Sequence, residues 1–331
     1  MTPKKTLFIS DLHMTDAASF SAKPHPYGKL TPLQAARVVQ FCNWVYEHRT
    51  EFGELVLLGD IIDLWTCPCD ATPPTVKSVL AAKHNKAIVT ALQRLIDNKV
   101  LVTYIPGNHD ITVNKPFLSG MVLASKWTWP DTDVALGRHG HEDCLFNGKD
   151  PKGRLPLGYY VCRAAATRTC QTGASFPSPA SMLIKHRDDM LQIPRVGLVT
   201  TVWNVVAEEA KLTDSEPIDM VPDRSPTVAG IRTDYATLYR DRKGNADQLL
   251  TEFDPYYGAF GTEKLFVCGH SHEHRFAQMM ENKLLYLNTG AWCCDDQTYF
   301  AAVWPEAKRM YGSLWHWDTA AHEVNTGSVA L

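Results

Sequence analysis

Over the first 141 residues, short apolar runs alternate with longer amphipathic stretches, and each run ends in a loop rich in Asp, Asn, His and Gly. Positions 6–10 (TLFIS) predict a buried strand that ends in Asp11-Leu12-His13. A helix is predicted from Thr31, with Pro32 suited to the first turn and Leu33, Val38, Phe41 and Val45 forming an apolar stripe. A second strand over 54–58 runs into Gly59-Asp60-Ile61-Ile62-Asp63, and one further helix is predicted over 75–97. A third strand over 100–105 ends in Gly107-Asn108-His109-Asp110, and a short strand over 134–136 ends in Arg138-His139-Gly140-His141. Strand, polar loop, helix, strand is the signature of a layered α/β fold. Ligands collect beyond the carboxyl ends of such strands, where all of these loops fall.

From 145 to 257 the pattern changes. Helical stretches over 157–169, 181–191, 197–211 and 233–253 are joined by proline-rich segments, including Pro177, Pro179, Pro217 and Pro226. The strand pattern resumes over 264–268, which leads to Gly269-His270-Ser271-His272, and continues over 284–287 and 299–304. This predicts one core, residues 1–144 and 258–331, interrupted by a helical insertion or cap over 145–257.

Composition narrows the class. With 331 residues, 45% apolar and 21% charged, the chain is that of a folded globular protein. The net charge of −3 sets up no field that would recruit nucleic acid, which argues against a nuclease. No apolar stretch approaches the roughly 18 residues of a membrane span, and the run before Asp11 is too short for a signal-peptide core. The nine cysteines include no CxxC pair, so they read as mostly reduced thiols in a reducing compartment, with an accessory metal or redox role as the remainder. A cytoplasmic protein is therefore expected.

Histidine changes the picture most. Of thirteen, His13, His109, His139, His141, His270, His272 and His274 stand in or beside the polar loops. Carboxylate, imidazole and carboxamide in those loops are ligands that suit Mn, Fe, Zn, Co or Ni. In an extended segment residues i and i+2 share a side, so Asp11/His13 and His270/His272 could each give one site two ligands. Glycines beside Asp60, Asn108, His139 and His270 allow close backbone approach. A carboxylate between two cations can bridge them, and Asp60 is the natural candidate. Two ions roughly 3.5–4 Å apart would clamp a phosphate and turn a bridging water into hydroxide. A nearby histidine that is not a ligand would serve the leaving group.

These five motifs, in this order, resemble the calcineurin-like metallophosphoesterase superfamily over about 6–141 and 264–304. The resemblance implies a four-layer αββα sandwich with a dinuclear metal site. It implies one ion held by Asp11, His13, Asp60 and His272, and another by Asp60, Asn108, His139 and His270. His109 would be the acid, oriented by Asp110, with Asp63 steadying a ligand such as His13. Manganese is the first choice of metal. The implied function is hydrolysis of a phosphodiester, phosphomonoester or pyrophosphate through a metal-bridging hydroxide. In Gly59-Asp60-Ile61-Ile62-Asp63-Leu64-Trp65 and at His139, the chain looks most like the branch containing UDP-2,3-diacylglucosamine hydrolases, lipid pyrophosphohydrolases with a helical cap at the same place. It departs from that branch at His109, where the branch has Arg, and at His141, where it has Asp. A nuclease and a non-catalytic scaffold of the same fold are the rival readings. The expected partner is a small phosphorylated molecule, nucleotide- or lipid-linked, with no specific nucleic acid.

Other features carry less. His141 and His274 could touch substrate, tune the metals or play an ordinary polar role. Trp65 and Trp292 fit packing better than a pocket wall. The basic run from Arg224 through Arg232, Arg240 and Arg242 to Lys243 is either a solvated face or an anion-binding part of the cap. The apolar stretch 196–206 fits packing of the cap, ahead of a substrate pocket or a homodimer contact.

Overall fold

The computed structural model describes residues 4–22, 27–129, 134–148, 154–173, 195–218, 227–241, 254–257, 261–279, 283–293 and 297–331. Two mixed sheets and flanking helices make an α/β fold. The first sheet joins β1 (Lys5–Ile9), β2 (Phe52–Leu58), β3 (Leu101–Ile105) and β4 (Val122–Leu123) in parallel. The second joins β5 (Trp127–Thr128), β6 (Ala135–Gly137), β7 (Leu265–Cys268), β8 (His274–Met279) and β9 (Leu284–Thr289) in the order β5-β6-β7-β9-β8. Three antiparallel strands, β10 (Thr298–Glu306), β11 (Arg309–Trp317) and β12 (Ala321–Ala330), extend the first sheet from β1.

Side chains alternate across the buried strands, and both faces are apolar, as expected of parallel strands covered on both sides. Phe8, Val56 and Leu58 of the first sheet pack against Leu265, Val267, Leu285 and Leu287 of the second. Leu7, Ile9, Leu55 and Leu57 point the other way, onto α2 (Pro32–Glu47) and α4 (Lys86–Asp97) through Val38, Phe41, Val45, Ile88, Leu92 and Leu95. On the far side of the second sheet, Tyr256 of a short 3-10 turn packs on Phe266 and Tyr286.

Local signals explain most boundaries. After the short α1 (Ala17–Phe20), Thr31 and Gln34 close a capping box ahead of Pro32, so α2 begins where Pro can occupy its first turn. The single helix expected over 75–97 is instead α3 (Val76–Ala81), a 3-10 turn and α4. Asn85 sits at the break: its buried amide donates to Thr15 O (2.8 Å), a tertiary contact, and to Val79 O (2.9 Å) of α3.

Beyond β6 come α5 (Leu157–Thr172), α6 (Arg195–Glu209) and α7 (Val228–Asp241). Phe146, Leu157, Val161, Val202, Trp203, Val206, Ile218 and Ile231 form a hydrophobic cluster of their own. Val202, Trp203 and Val206 come from the apolar stretch, so packing is their role, and Trp203 Nε1 donates to Val228 O at 2.9 Å. The helix expected over 181–191, and residues 242–253 of the last one, lie outside the described residues.

Candidate metal centre

The loops after β1, β2, β3, β6 and β7 meet at one end of the two sheets, and their backbones are laced together. Asp11 N donates to Gly59 O (3.0 Å), His13 N to Asp60 O (2.8 Å), Asp63 N to Met14 O (2.8 Å) and Gly269 N to His139 O (3.0 Å). The approach is close enough to need glycine. A Cβ on Gly59, at φ +85°, would lie 2.4 Å from the His139 ring, and one on Gly107 would lie 2.3 Å from Asp60 Oδ1.

The chain does not reach this site in extended form. Asp11, His13, Asp60, His270 and His272 have φ of 55°, 50°, 52°, 74° and 62°. Five of the eight non-glycine residues at positive φ among the described residues are thus predicted ligands. The i, i+2 strand geometry expected for Asp11/His13 and His270/His272 is corrected here: β1 ends at Ile9 and β7 at Cys268. Paired left-handed residues re-aim the side chains, at about 1–3 kcal/mol each, a kind of strain that concentrates at functional sites.

Each carboxylate spends one oxygen on an amide. His270 N donates to Asp11 Oδ2 (3.1 Å) and His109 N to Asp60 Oδ1 (2.8 Å). The other oxygens face imidazoles. Asp11 Oδ1 lies 3.3 Å from His272 Nε2 and 4.0 Å from His139 Nε2, and Asp60 Oδ2 lies 3.4 Å from His139 Nε2 and 3.7 Å from His13 Nε2. His13 Nε2 and His272 Nε2 face each other at 3.2 Å, and Asn108 Oδ1 stands 3.2 Å from His139 Nε2. Nδ1 of His139 bonds Leu58 O (2.8 Å) and Nδ1 of His13 bonds Asp63 Oδ2 (3.1 Å), which turns both Nε2 atoms inward.

These atoms fit a cation. A tetrahedral ion with bonds of about 2.1 Å sets its ligand atoms about 3.4 Å apart, and the spacings here run from 3.2 to 4.0 Å. Asp11 Oδ1 is buried and makes no hydrogen bond. Three groups could hold a metal ion here: Asp11, Asp60 and His139; His13, Asp60 and His109; and His13, His272 and Cys293.

Charge is arranged to match. Burial alone would raise Asp11 and Asp60, but His139 and its neighbouring histidines outweigh it and hold both carboxyls well below their usual range. Burial also opposes charge on His139, yet Asp60 and Asp11 hold its pKa at about 10. Burial, with Lys29 and His109, pushes His13 down to about 4. His270 is pushed well below its usual value by burial and by His139 and His141.

The expectation that Asp110 orients His109 is corrected. Asp110 is wholly buried and accepts from the amides of Asp60 (3.3 Å), Ile61 (2.9 Å), Ile62 (3.2 Å) and Gly107. Burial and the Asp60 charge push its carboxyl up to about 6. The partner of His109 is Asp63, whose Oδ1 lies 2.9 Å from His109 Nδ1 and also accepts from Trp65 N (3.0 Å) and Thr66 N (2.9 Å). Asp63 therefore joins His13 to His109 through its two oxygens. Trp65 stacks on the His109 ring at 4.5 Å, while Trp292 lies in the core beneath Asp11, donating to Tyr299 O.

Three predicted residues stand apart from the convergence. His270 lies beside His139, with ring centres 5.2 Å apart, but its Nε2 is 3.3 Å from Cys144 Sγ. His141 is buried against His139, with no hydrogen bond to Nδ1. His274 is exposed, stacks on Tyr299 at 3.7 Å, and lines a pocket of about 270 Å³ with His272 and Glu273. The sequence motifs do not place Cys144 or Cys293 at the site; the run His139 to Cys144 in one loop is the signal for the first. Arg232 bonds Asn204 and pairs with Asp214 (2.9 Å); Arg224, Arg242 and Lys243 lie outside the described residues. Among the described residues no helix is long and apolar enough to cross a membrane.

No family model matches the sequence, and no curated protein matches it. Among solved structures, the chain is similar to vacuolar protein sorting 29 from Cryptosporidium parvum, with 11% identity, 99% of this chain and 98% of that one covered, and a TM-score of 0.37. It is similar to a conserved uncharacterised protein from Streptococcus pneumoniae TIGR4 described as a predicted phosphoesterase, with 9% identity, 100% and 99% covered, and a TM-score of 0.33. Neither likeness is close enough to assign a residue or an activity to this chain.

Proposed function

We propose that the chain is a phosphoester hydrolase dependent on two divalent metal ions, acting on a phosphodiester, a phosphomonoester or a pyrophosphate. The observation that carries this reading is Asp11 Oδ1, buried, without a hydrogen bond, and facing the Nε2 atoms of His272, His13 and His139. One ion would be held by Asp11, His13, Asp60 and His272, and the other by Asp60, Asn108, His139 and His270. His270 would join that set only with its Nε2 turned from Cys144. The mixed nitrogen and oxygen set suits manganese, iron, zinc, nickel or cobalt, and the resemblance to metallophosphoesterases makes manganese the first choice. When bound, such ions withdraw charge from a phosphoryl group and make water more acidic.

The chain's own residues do the rest. Asp63 fixes Nδ1 of His109, so Nε2 is the atom that passes a proton to a leaving oxygen. Trp65 holds the plane of that ring and keeps water from one face. Asp110 keeps the 60–62 turn, and with it Asp60, in place. His274, exposed at the rim of a small pocket, would contact substrate, and that pocket suits a compact phosphorylated molecule better than a long acyl chain; the buried His141 would act through its neighbour His139. We assign 145–257 to a cap inserted into a core of 1–144 and 258–331, a division that the separate hydrophobic cluster of α5, α6 and α7 supports. Elemental analysis, with hydrolysis of p-nitrophenyl phosphate and bis-p-nitrophenyl phosphate, tests the reading. Close to two ions per chain and turnover of one ester are expected, both lost in Asp60→Asn. An active, fully loaded Asp60→Asn protein overturns it.

A further inference from the structure

Away from the metal centre, two cysteines meet where α5 rests on the loop that follows Asp63. Cys69 lies in that loop and Cys170 in the last turn of α5, and Cys69 N donates to Cys170 Sγ at 3.2 Å. Their sulfurs and an Asp70 carboxylate oxygen all lie within 4.8 Å of one another. The backbones on both sides are held. The buried Arg163 of α5 donates to Cys67 O (2.8 Å), Pro68 O (3.3 Å) and Cys69 O (3.4 Å), and Tyr27 Oη donates to Ala166 O (3.3 Å). Cys170 is exposed and Cys69 half-buried, whereas Cys42, Cys67, Cys144, Cys268 and Cys293 are buried. Sulfurs within 4.8 Å of each other are side-chain neighbours, and the bond requires them to close to the roughly 2.05 Å of an S–S pair.

We propose that Cys69 and Cys170 form a reversible disulfide that staples α5 to the loop carrying Asp63 and Trp65, with a small-molecule disulfide such as glutathione disulfide as the oxidant. The exposed Cys170 thiolate attacks one sulfur of the oxidant. That S–S bond breaks, a mixed disulfide forms on Cys170, and one glutathione thiolate leaves and takes up a proton. Cys69 then attacks the Cys170 sulfur and displaces the second glutathione. In total, two protein thiols give up two electrons and two protons, and the oxidant becomes two thiols. Burial and the neighbouring Cys170 push the Cys69 thiol up to about 12, which makes it the resolving partner.

The bond closes a long loop, the case in which a cross-link restricts the chain most. It also acts on the site's surroundings. Trp65 stacks on His109 and meets Tyr159 of α5 edge-on at 5.9 Å, so fixing α5 fixes that stack.

The test uses the full chain, incubated with glutathione disulfide or with dithiothreitol, and its outcome does not depend on the hydrolase reading. Thiol titration in denaturant is expected to fall from nine to seven per chain. Peptide mapping should then find residues 69 and 170 linked, and hydrogen exchange over 157–172 should slow on oxidation and recover on reduction. Cys69→Ser and Cys170→Ser should each remove the link, while Cys162→Ser keeps it. Persistent glutathione adducts without the link, a link between other cysteines, or unchanged exchange in the linked protein overturns the proposal. So does a zinc ion bound by reduced Cys69, Asp70 and Cys170 that blocks oxidation.

Discussion

Replacing Asp63 with Asn changes one atom and separates the two duties of that side chain. Its Oδ1 accepts from Trp65 N, Thr66 N and His109 Nδ1, and its Oδ2 faces His13 Nδ1 at 3.1 Å. The two amide protons require an oxygen at the first position, so the new NH2 group falls against His13. With Nδ1 of His13 now facing a donor, the ring must carry its proton on Nε2, the atom that points at Asp11, Asp60 and His272. Metal affinity should fall roughly 10- to 100-fold, the usual effect of losing a carboxylate behind a histidine ligand, or about 1.4–2.7 kcal/mol. The fold should survive, because the Trp65 and Thr66 amides keep their acceptor, and stability of the metal-stripped protein should drop by no more than about 1–2 kcal/mol. Calorimetric titration of manganese into metal-stripped Asp63→Asn and unaltered protein, with urea unfolding of each, makes the measurement. A folded variant that binds manganese within twofold of the unaltered protein refutes the reasoning.

Asp110→Ala leaves four buried amides without an acceptor and should cost about 3–5 kcal/mol in urea unfolding; a loss below about 1 kcal/mol would show that Asp110 does not hold the 60–62 turn. His109→Ala should lower kcat by about 10²- to 10⁴-fold at unchanged metal content by elemental analysis; loss of metal would make His109 a ligand instead. Metal uptake should release a proton. In the metal-stripped protein Asp60 and Asp11 keep His139 protonated up to about pH 10, and a ligand nitrogen must be bare, so affinity should fall about tenfold per unit as pH drops below that value. His13, at about 4, adds no second proton near neutrality. Calorimetry at pH 7.5 in buffers of different ionisation heat should count about one proton, and a count of zero contradicts the assignment of His139.

Much of the site could be read along the chain because its parts lie at strand ends, and strand ends show as apolar runs stopped by polar residues. Asp11, His13, Asp60, His139 and His272 come together as that pattern implies. What the pattern cannot carry is direction. Positive φ at Asp11 and His270 arises from loops laced to other loops, and no local spacing encodes it. The partner of His109 is hidden in the sequence for a related reason. Asp110 is its neighbour in sequence, but a residue next in the chain points elsewhere in a turn, and Asp63, 46 positions back, is the one in reach. The break between α3 and α4 depends on Thr15, far upstream. Strand β11 does carry a local signal: 309–317 (RMYGSLWHW) is rich in strand formers and follows a turn at Ala307.

The central claim is that two cations share Asp60. Crystals of the manganese-loaded protein, measured near the manganese absorption edge, test it most directly. The prediction is two anomalous peaks, one within bonding distance of Asp11, His13 and His272, the other of Asn108, His139 and His270, with Asp60 bonded to both. A single peak that Asp60 does not touch, or no peak in these loops from fully loaded protein, contradicts it.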